Sequence, residues 1–287
     1  MANLLNITIN DTGHITLPSG TTAQRPSSPL VGYIRFNTTM GLVEYYNGSY
    51  WIDQTTGRIA EGGIVTSNLL LHLDSSKPTS YRGGNVWYDI SSQCAHGIFV
   101  NGPTYSPTET SGGAVSFDGT NDYVRISTLN TLPTTQITCE AWIKPTEPVS
   151  TGTVRGGIIS ATNTMYLGIF NSVDGGSTHS LHWANTTNSS RPYSYDGNIP
   201  NNVWSHIAGT WDGSTSRAYV NGNQVWSSAQ TGTIDAATYV VGTYGSGLTD
   251  GLHNFQGQIS VARMYSIGLS GAQILQNFNA QRNRFNI

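Results

Sequence analysis

The stretch "HIAGTWDGSTSRAYVNGNQVW", residues 206–226, contains a β-hairpin signal centred on Asn221-Gly222. Asn and Gly tolerate the positive φ angles that a type I′ turn requires at both central positions. The residues on either side are rich in β-branched and aromatic side chains, which suit a pleated, half-buried surface. The stretch therefore predicts two antiparallel strands joined by a two-residue turn. The segment "VEYYNGSYW", residues 43–51, predicts a second such hairpin at Asn47-Gly48.

Short strand-like segments recur from Asn68 onward, with turn residues between them. The alternation is clearest in "ITCEAWIK", residues 137–144, where Ile, Cys, Ala and Ile alternate with Thr, Glu, Trp and Lys. About a dozen such segments in succession are typical of two packed antiparallel sheets. The sequence therefore predicts an all-β protein whose main domain is an antiparallel two-sheet sandwich. Four tryptophans lie in predicted strands, and most of them are expected in the core or between the sheets: Trp142, Trp204, Trp211 and Trp226.

One helix is predicted near the end of the chain, in "LSGAQILQNFNAQ", residues 269–281. Ser270 is a suitable N-cap residue because its hydroxyl can accept a hydrogen bond from the first turn. Ile274, Leu275 and Phe278 are expected on one apolar face. The helix is thus predicted to pack against the sandwich through these three side chains.

The chain divides into three parts. Residues 1–53 hold short alternating segments separated by a Pro-rich spacer and are predicted to form a small N-terminal β module. Residues 54–67 are Gly-rich and polar and are predicted to be a linker. Residues 68–287 form the predicted sandwich. Because the small module buries little core by itself, we expect it to oligomerise.

Composition and charge exclude several classes of partner. Charged residues make up 10% of the chain, well below the roughly 25% usual for soluble domains. The 13 basic residues are scattered and the net charge is −3, so no basic stripe predicts a nucleic-acid partner. No run of about 18 apolar residues predicts a membrane span, and the N-terminus lacks the pattern of a signal peptide. Cytoplasmic synthesis is therefore expected.

Catalytic and redox signals are missing from the sequence. Glycoside hydrolases need two facing carboxylates, about 5 Å apart in retaining enzymes, yet Glu140 has no acidic neighbour in its strand. His179 and His182 are three residues apart, which in a strand places them on opposite faces. The sequence thus predicts no enzyme and no required cofactor. Cys139 is interpreted as a core residue, with a disulfide to Cys94 as the alternative.

A weak calcium signal lies in "FDGTNDY", residues 117–123. Asp118, Asn121 and Asp122 offer oxygen ligands of the kind that calcium prefers. The alternative interpretation is a tight turn in which Asp118 and Asn121 bond the loop's own backbone. The turn is favoured because calcium takes about six to eight ligands and the loop offers three.

A glycan-binding signal lies in "LHWANTTNSSRPYSYDGN", residues 181–198. Aromatic faces can stack on sugar rings while amides and guanidinium groups reach hydroxyls. The candidate residues share a polar, aromatic loop at a sandwich edge: they are Trp183, Asn185, Arg191, Tyr193 and Tyr195. The alternative is that Trp183 belongs to the core and that the tyrosines cover it.

The order of several phrases resembles the laminin-G-like, concanavalin-A-like jelly-roll family over about residues 68–282. The matching phrases are "LLLHLDSSKP", "VWYDISS", "AVSFDGTNDYVRI", "ITCEAWIKP", "VWSHIAGTWDGSTSRAYVNGNQV" and "FQGQISVARMYSIGLSGAQILQNF". The resemblance implies a lectin-like jelly roll and allows a calcium ion near such loops.

The phrase "LPSGTTAQRPSSPLVGYIRFNTTMGLVEYYNGSYW", residues 17–51, resembles a module of tailed-phage fibres and other virion proteins. Together the two resemblances imply a phage virion protein of fibre or adhesin type, located in the virion. They imply a homotrimer whose N-terminal module attaches to other virion proteins and whose sandwich binds host-surface polysaccharide. The alternatives are a non-binding capsid or tail decoration protein and, less favoured, a polysaccharide-degrading enzyme.

Overall fold

The computed structural model describes residues 16–48, 51–55, 63–107, 112–129, 133–146, 155–161, 165–171, 178–185, 198–234, 238–245 and 253–287. The chain forms two compact units, residues 1–63 and 64–287. The division between them falls within the predicted linker, residues 54–67. In the part of the chain described, no helix is long and apolar enough to cross a membrane.

The N-terminal unit contains one small sheet, with strands in the order β1 (Ser19–Gly20), β2 (Ile34–Asn37), β3 (Leu42–Tyr46) and β4 (Trp51–Asp53). β1 runs parallel to β2, and the other neighbours are antiparallel. A short 3₁₀ helix, Thr22–Gln24, connects β1 to β2. Tyr46 pairs with Trp51, so the β3–β4 connection has four residues. The two-residue turn predicted at Asn47-Gly48 is therefore wrong, although the hairpin exists.

The two faces of this small sheet differ in an unusual way. Arg35, Asn37 and Glu44 are buried on one face, whereas Ile34 and Phe36 are exposed on the other. Strand alternation explains the separation, because successive side chains point to opposite faces. The 3₁₀ segment supplies hydrogen bonds to the polar face, and the apolar face remains accessible in the isolated unit.

The second unit is an antiparallel sandwich with a C-terminal helix, which confirms the predicted fold class. Its strands in chain order are β5 (Leu69–Asp74), β6 (Val86–Trp87), β7 (Gly97–Val100), β8 (Thr104–Ser106), β9 (Ala114–Asp118), β10 (Tyr123–Ile126), β11 (Ile137–Pro145), β12 (Arg155–Ala161), β13 (Met165–Asn171), β14 (Thr178–Asn185), β15 (Ile199–Pro200), β16 (Ser205–Trp211), β17 (Thr215–Val220), β18 (Asn223–Ala229), β19 (Tyr239–Val241) and β20 (Gln256–Tyr265).

The strands form two eight-stranded sheets. The front sheet has the order β15-β14-β13-β12-β19-β10-β7-β6. The back sheet has the order β18-β17-β16-β11-β20-β9-β8, and β5 pairs with β20 beside β9. Some neighbours in the back sheet are distant in sequence, as in the pairing of β11 with β20. This non-local order is what brings residues of opposite chain ends together.

The hairpin at Asn221-Gly222 forms as the sequence predicts. Val220 pairs with Asn223, and φ is 49° at Asn221 and 77° at Gly222. Both central residues thus have the positive φ that a type I′ turn requires. A Cβ atom at Gly222 would lie 2.9 Å from Leu275 Cδ1, so the turn also packs closely against the C-terminal helix.

The main core lies between the two sheets. Alternate residues of each strand meet there, among them Cys139 and Leu167, both fully buried. Burial and the neighbouring Glu140 carboxylate raise the pKa of the Cys139 thiol. Cys139 and Cys94 are both free thiols, so the interpretation of Cys139 as a core residue is correct. Trp211 lies in this core as predicted, and Trp226 packs against it half-buried. Trp142 and Trp204 are buried instead on the outer side of the back sheet, where the C-terminal segment covers them.

The C-terminal helix α1 (Gly271–Arg282) covers the outer side of the back sheet and continues into a second 3₁₀ helix, Asn283–Phe285. The Ser270 hydroxyl accepts a hydrogen bond from the Gln273 amide at 3.3 Å, so Ser270 is the predicted cap. Ile274 and Phe278 are buried, but Leu275 is 43% exposed. The prediction that Leu275 packs on the buried face is wrong. Leu275 follows the buried Ile274 by one residue, and the helix turns by about 100° per residue, so Leu275 lies at the edge of the helix beside the hairpin turn.

Candidate functional site

Trp183 lies in the core and not in a glycan-binding surface. It is fully buried, and its Nε1 donates a hydrogen bond to Ser216 Oγ at 2.8 Å. A Cβ atom at Gly209 would lie 2.1 Å from the indole, so the ring lies directly on the backbone of β16. Neither ring face is open to a sugar. The prediction of Trp183 as a stacking residue is therefore corrected, and the core alternative describes it.

Asn185 is also buried and joins the two sheets. The Ser216 hydroxyl donates to Asn185 Oδ1 at 2.9 Å, and the Gln230 amide donates to the Asn185 carbonyl. These bonds use the polar groups that a glycan would need, so Asn185 is a structural residue here. Arg191, Tyr193 and Tyr195, the other three residues of that prediction, lie outside the described residues.

The carboxylates of the candidate calcium loop accept hydrogen bonds from the loop's own backbone, as the favoured turn interpretation predicts. Asp118 Oδ1 accepts hydrogen bonds from the amides of Thr120 and Asn121, at 2.8 and 3.2 Å. Asp122 Oδ2 accepts one from the Asp118 amide at 3.1 Å. This is the geometry expected of a tight acidic turn. Within the described ranges, no three His, Cys, Asp or Glu side chains come together as a metal site would require.

A buried ionic cluster lies between the back sheet and the C-terminal helix. Glu140 Oε1 accepts a hydrogen bond from Arg263 Nη1 at 2.8 Å, and Asn277 Nδ2 lies 3.1 and 3.0 Å from the two carboxylate oxygens. His206 Nε2 is 3.4 Å from Oε2. Arg263 Nη2 donates to Gln281 of the helix at 2.6 Å. The helix thus supplies the polar partners that water would otherwise provide.

The cluster fixes the charge of its carboxylates. Burial acts to raise the pKa of Glu140, but His206 and Arg263 outweigh burial and lower that pKa to about 2. Asp74, at the end of β5, behaves similarly: burial opposes ionisation, yet Arg284 and Arg263 lower its pKa. Arg284 Nη1 lies 2.9 Å from Asp74 Oδ1. Carboxylates held ionised by fixed partners suit a structural role better than proton transfer.

The outer side of the front sheet presents the other concentration of polar and aromatic side chains. Leu167 and Leu181 point into the core, so alternation places Tyr166 of β13 and His182 of β14 on the outer side. Their ring centroids are 4.7 Å apart. Phe170 also packs on His182, at 4.4 Å, and these three rings are mostly buried.

Tyr244 extends the ring cluster toward solvent. Its ring centroid is 5.0 Å from that of Tyr166, and the ring centroid of His253 is 5.5 Å from that of Tyr244. Tyr244 and His253 are both half-buried. A Cβ atom at Gly168 would lie 2.5 Å from the Tyr166 ring, so that glycine leaves the space in which the ring lies across the sheet.

The more open half of this face carries Tyr123 and Arg125. Val124 and Ile126 of β10 point into the core, so Tyr123 and Arg125 point outward, about 7 Å apart along the strand. Arg125 is exposed and Tyr123 is half-buried. Arg125 is flanked by Ile98 and Val240 on the neighbouring strands, which are apolar and cannot neutralise it. We call Tyr123, Arg125 and Tyr244 the front-face patch.

The sequence pattern predicts no binding role for Tyr123 or Arg125. Arg125 is one of 13 basic residues in the chain and lies within a strand-like segment, so its sequence context gives only a weak indication of a binding role. An exposed charge on a strand is usually only a solvated face. The position of Arg125 on the outer side of the front sheet follows only from the arrangement of the two sheets.

Residues 118–275 match the family Laminin_G_3, described as the concanavalin A-like lectin/glucanases superfamily. The chain belongs to this superfamily. The matched range is narrower than the resemblance predicted over about residues 68–282, but it contains every residue of the front-face patch. No curated protein matches the chain.

Solved structures share the fold at low sequence identity. Domain 4 of a GH43 extracellular arabinanase from Geobacillus stearothermophilus, in complex with arabinotriose, is 16% identical with a TM-score of 0.55, covering 73% of this chain and 98% of that one. The binding domain of Paraclostridial Mosquitocidal Protein 1 is 12% identical with a TM-score of 0.58, covering 75% and 52%. The ligand binding domain of botulinum neurotoxin serotype D, in complex with N-acetylneuraminic acid, is 16% identical with a TM-score of 0.55, covering 76% and 52%. This chain thus spans about half the length of the two toxin domains.

Proposed function

We propose that this chain is a phage virion structural protein of fibre or adhesin type whose sandwich binds host-surface glycans through the front-face patch. The observation that carries the binding proposal is the exposed Arg125, which has no carboxylate partner among the residues the structure describes, next to Tyr123 on an outer sheet face of a lectin-like fold. The virion assignment is supported by the resemblance of residues 17–51 to tailed-phage fibre modules. A place in the virion follows from that assignment.

The chemistry of the patch suits a sugar ring. A tyrosine face can pack on the C–H side of a sugar, while a guanidinium donates to hydroxyl or carboxylate oxygens. Two of the solved relatives were crystallised with carbohydrate ligands, arabinotriose and N-acetylneuraminic acid. The neurotoxin and mosquitocidal structures are of binding domains. Binding without catalysis is therefore the function we propose, with no required cofactor.

The binding proposal is tested with the substitutions Arg125→Ala and Tyr123→Ala in the full chain. We expect each to weaken binding on a glycan array, or adsorption to host cells, by about tenfold or more, which corresponds to about 1.4 kcal/mol. Lys77→Ala and Tyr88→Ala are matched controls on the same unit, outside the patch, and should bind as the unmodified chain does. Particle attachment without glycan binding in the unmodified chain would instead favour a decoration protein. Release of soluble sugar would favour an enzyme.

The N-terminal unit is proposed to assemble the chain as a homotrimer and to attach it to other virion proteins. Ile34 and Phe36 of its apolar face are 41% and 37% exposed, and Tyr45 is 37% exposed. No charged side chain alternates onto this face in β2 or β3, so a second copy meets no like charge there. Burial of such a face between copies is favoured by the hydrophobic effect.

Light scattering tests the trimer directly. The unmodified chain should have three times the monomer mass, and Phe36→Ser should shift it toward the monomer. Val203→Ser is the matched control, because Val203 is 44% exposed on the sandwich unit. A monomeric unmodified chain would contradict the assembly role of the N-terminal unit.

A further inference from the structure

A cavity of about 490 Å³ opens in the N-terminal unit. Its lining is mostly apolar and includes Pro18, Pro26, Tyr33 and Trp51; its polar members are Ser19, Gln24 and Arg35. This volume is within the range of about 300–1,000 Å³ that small-ligand and side-chain pockets occupy. The cavity can therefore hold a ligand that has an apolar body and at least one polar group.

Arg35 is the charged group of the cavity and is held rigidly. It is 6% exposed, and its Nη2 donates to the Thr21 carbonyl at 3.0 Å. Its ring neighbour is Trp51, whose centroid is 6.0 Å from the guanidinium carbon. A buried and fixed guanidinium has already lost its conformational freedom, so a ligand that binds it loses little more.

The carboxylate nearest to Arg35 is bonded mainly to other groups. Glu44 receives two hydrogen bonds from Arg25, at 3.1 and 2.6 Å, and one from Asn37 at 3.1 Å. Arg35 Nε is 3.6 Å from Glu44, which is longer than a normal hydrogen bond. Within the described part of the chain, no carboxylate lies closer to Arg35. Two guanidinium groups therefore share one carboxylate beside the cavity.

The backbone at Gly20 lies close to both Arg35 and Gln24 of the lining. A Cβ atom at Gly20 would lie 2.8 Å from Arg35 Nη2 and 2.9 Å from Gln24 Oε1. Gly20 belongs to β1, which among the described residues is an edge strand that pairs with β2. An edge strand presents backbone groups to which an extended peptide can add. Ser19 of β1 lines the cavity, so the cavity lies beside this edge strand.

We infer that this cavity binds an acidic side chain on an extended peptide segment of a protein partner, with the carboxylate pairing to Arg35 and flanking apolar residues contacting Tyr33 and Trp51. Guanidinium and carboxylate match in charge and in planar, two-point geometry. The identity of the partner as a virion protein rests on the proposed attachment role of the N-terminal unit. The cavity chemistry is measured without particles, so the two ideas can fail separately.

The test is fluorescence anisotropy with the full chain and two labelled pentapeptides, Ala-Val-Glu-Val-Ala and Ala-Val-Gln-Val-Ala. We expect saturable binding of the Glu peptide and at least tenfold weaker binding of the Gln peptide. Arg35→Gln should remove that difference, and Arg35→Lys should retain part of it. Tyr33→Ala should weaken both peptides, since Tyr33 is 42% exposed and its loss leaves the buried network intact. Arg82→Gln, an exposed arginine of the other unit, is the control.

The outcomes separate the alternatives. Equal binding of the two peptides, or no binding of either at millimolar concentration, would overturn the inference. If sodium hexanoate competes as tightly as the Glu peptide binds, the site recognises small carboxylates and the assignment to a peptide segment is wrong. Because Arg35→Gln can unfold the small unit, the comparison of peptides on the unmodified chain is decisive by itself. Failure of particle attachment with intact peptide binding would contradict only the proposed attachment role.

Discussion

The two outer faces of the sandwich use charged residues in opposite ways. On the back sheet, Glu140 and Arg263 are completely buried beneath the helix and are bonded to each other and to helix side chains. On the front sheet, Arg125 is exposed between apolar neighbours. Both positions follow the same strand alternation, so the difference arises from what covers each face.

This comparison separates stability from recognition. A buried charge must be bonded internally, and such bonds make removal of one partner costly. An exposed charge contributes little to folding but remains available to a ligand. We therefore expect substitutions on the back face to change the free energy of unfolding and substitutions on the front face to change affinity. The predictions below test that division.

The largest expected effect is at Glu140. Glu140→Ala leaves Arg263 buried without its carboxylate and should lower the free energy of unfolding by about 3–5 kcal/mol. Urea denaturation measures this loss. Asp212→Asn is the control, because its ion pair with Arg217 is about one-third exposed and should cost at most about 1 kcal/mol. Equal losses at the two sites would remove the distinction between buried and exposed charges.

A somewhat smaller effect is expected from acid. The pKa of Glu140 is lowered to about 2 from 4.5, so its contribution to stability is full above about pH 4.5 and is lost as pH falls toward 2. The loss is about 3 kcal/mol, since one pKa unit corresponds to about 1.4 kcal/mol.

His72 also contributes to the loss of stability in acid. Burial and the charge of Arg263 lower the pKa of His72 from 6.5 to about 3. His72 therefore adds a further loss of stability as pH falls from 6.5 toward 3. Urea midpoints measured from pH 7 to 3 should therefore decline. Glu140→Gln should flatten the decline below pH 4.5, and an unchanged pH profile in that variant would contradict the assignment.

The third effect is confined to binding. Arg125→Ala should reduce glycan affinity about tenfold while changing the free energy of unfolding by less than about 0.5 kcal/mol. Glycan binding and urea denaturation measured on the same preparation provide both numbers. If stability falls while affinity does not, Arg125 belongs with the structural charges and the front face loses its special role.

The smallest effect is at the helix margin. Leu275→Ala should cost less than about 1 kcal/mol because the side chain is 43% exposed and already contacts water. Ile274→Ala is the matched comparison and should cost about 2–4 kcal/mol, as for other fully buried aliphatic residues. Thermal or urea denaturation of both variants checks which side of the helix covers the back face.

Sequence reasoning succeeded where local chemistry decides the structure. Asn221 and Gly222 specify their turn through their own φ preferences, and Ser270 specifies the start of the helix through its hydroxyl. Alternation in residues 137–144 correctly placed Cys139 in the core. These features depend on residues within a few positions of each other, so a single sequence contains the necessary information.

The errors and omissions depend on partners that are distant in the chain. Nothing near Glu140 indicates that Asn277 will bond to it 137 residues later. Trp183 adjoins a polar loop, but its position is decided by Gly209, on which the indole lies. Arg125 became a candidate only when the covered and uncovered faces were known. Sequence patterns predict which side a residue points to, but not what covers that side.

The contact between Asp74 and Arg284 has a consequence for synthesis on the ribosome. The carboxylate is made 210 residues before its guanidinium partner, an interval of about 10–40 s at the usual speed of translation, about 5–20 residues per second. The first strand of the sandwich therefore lacks this ion pair until the segment after α1 has been made. A translation product that ends before Arg284 leaves the buried Asp74 carboxylate without this guanidinium partner.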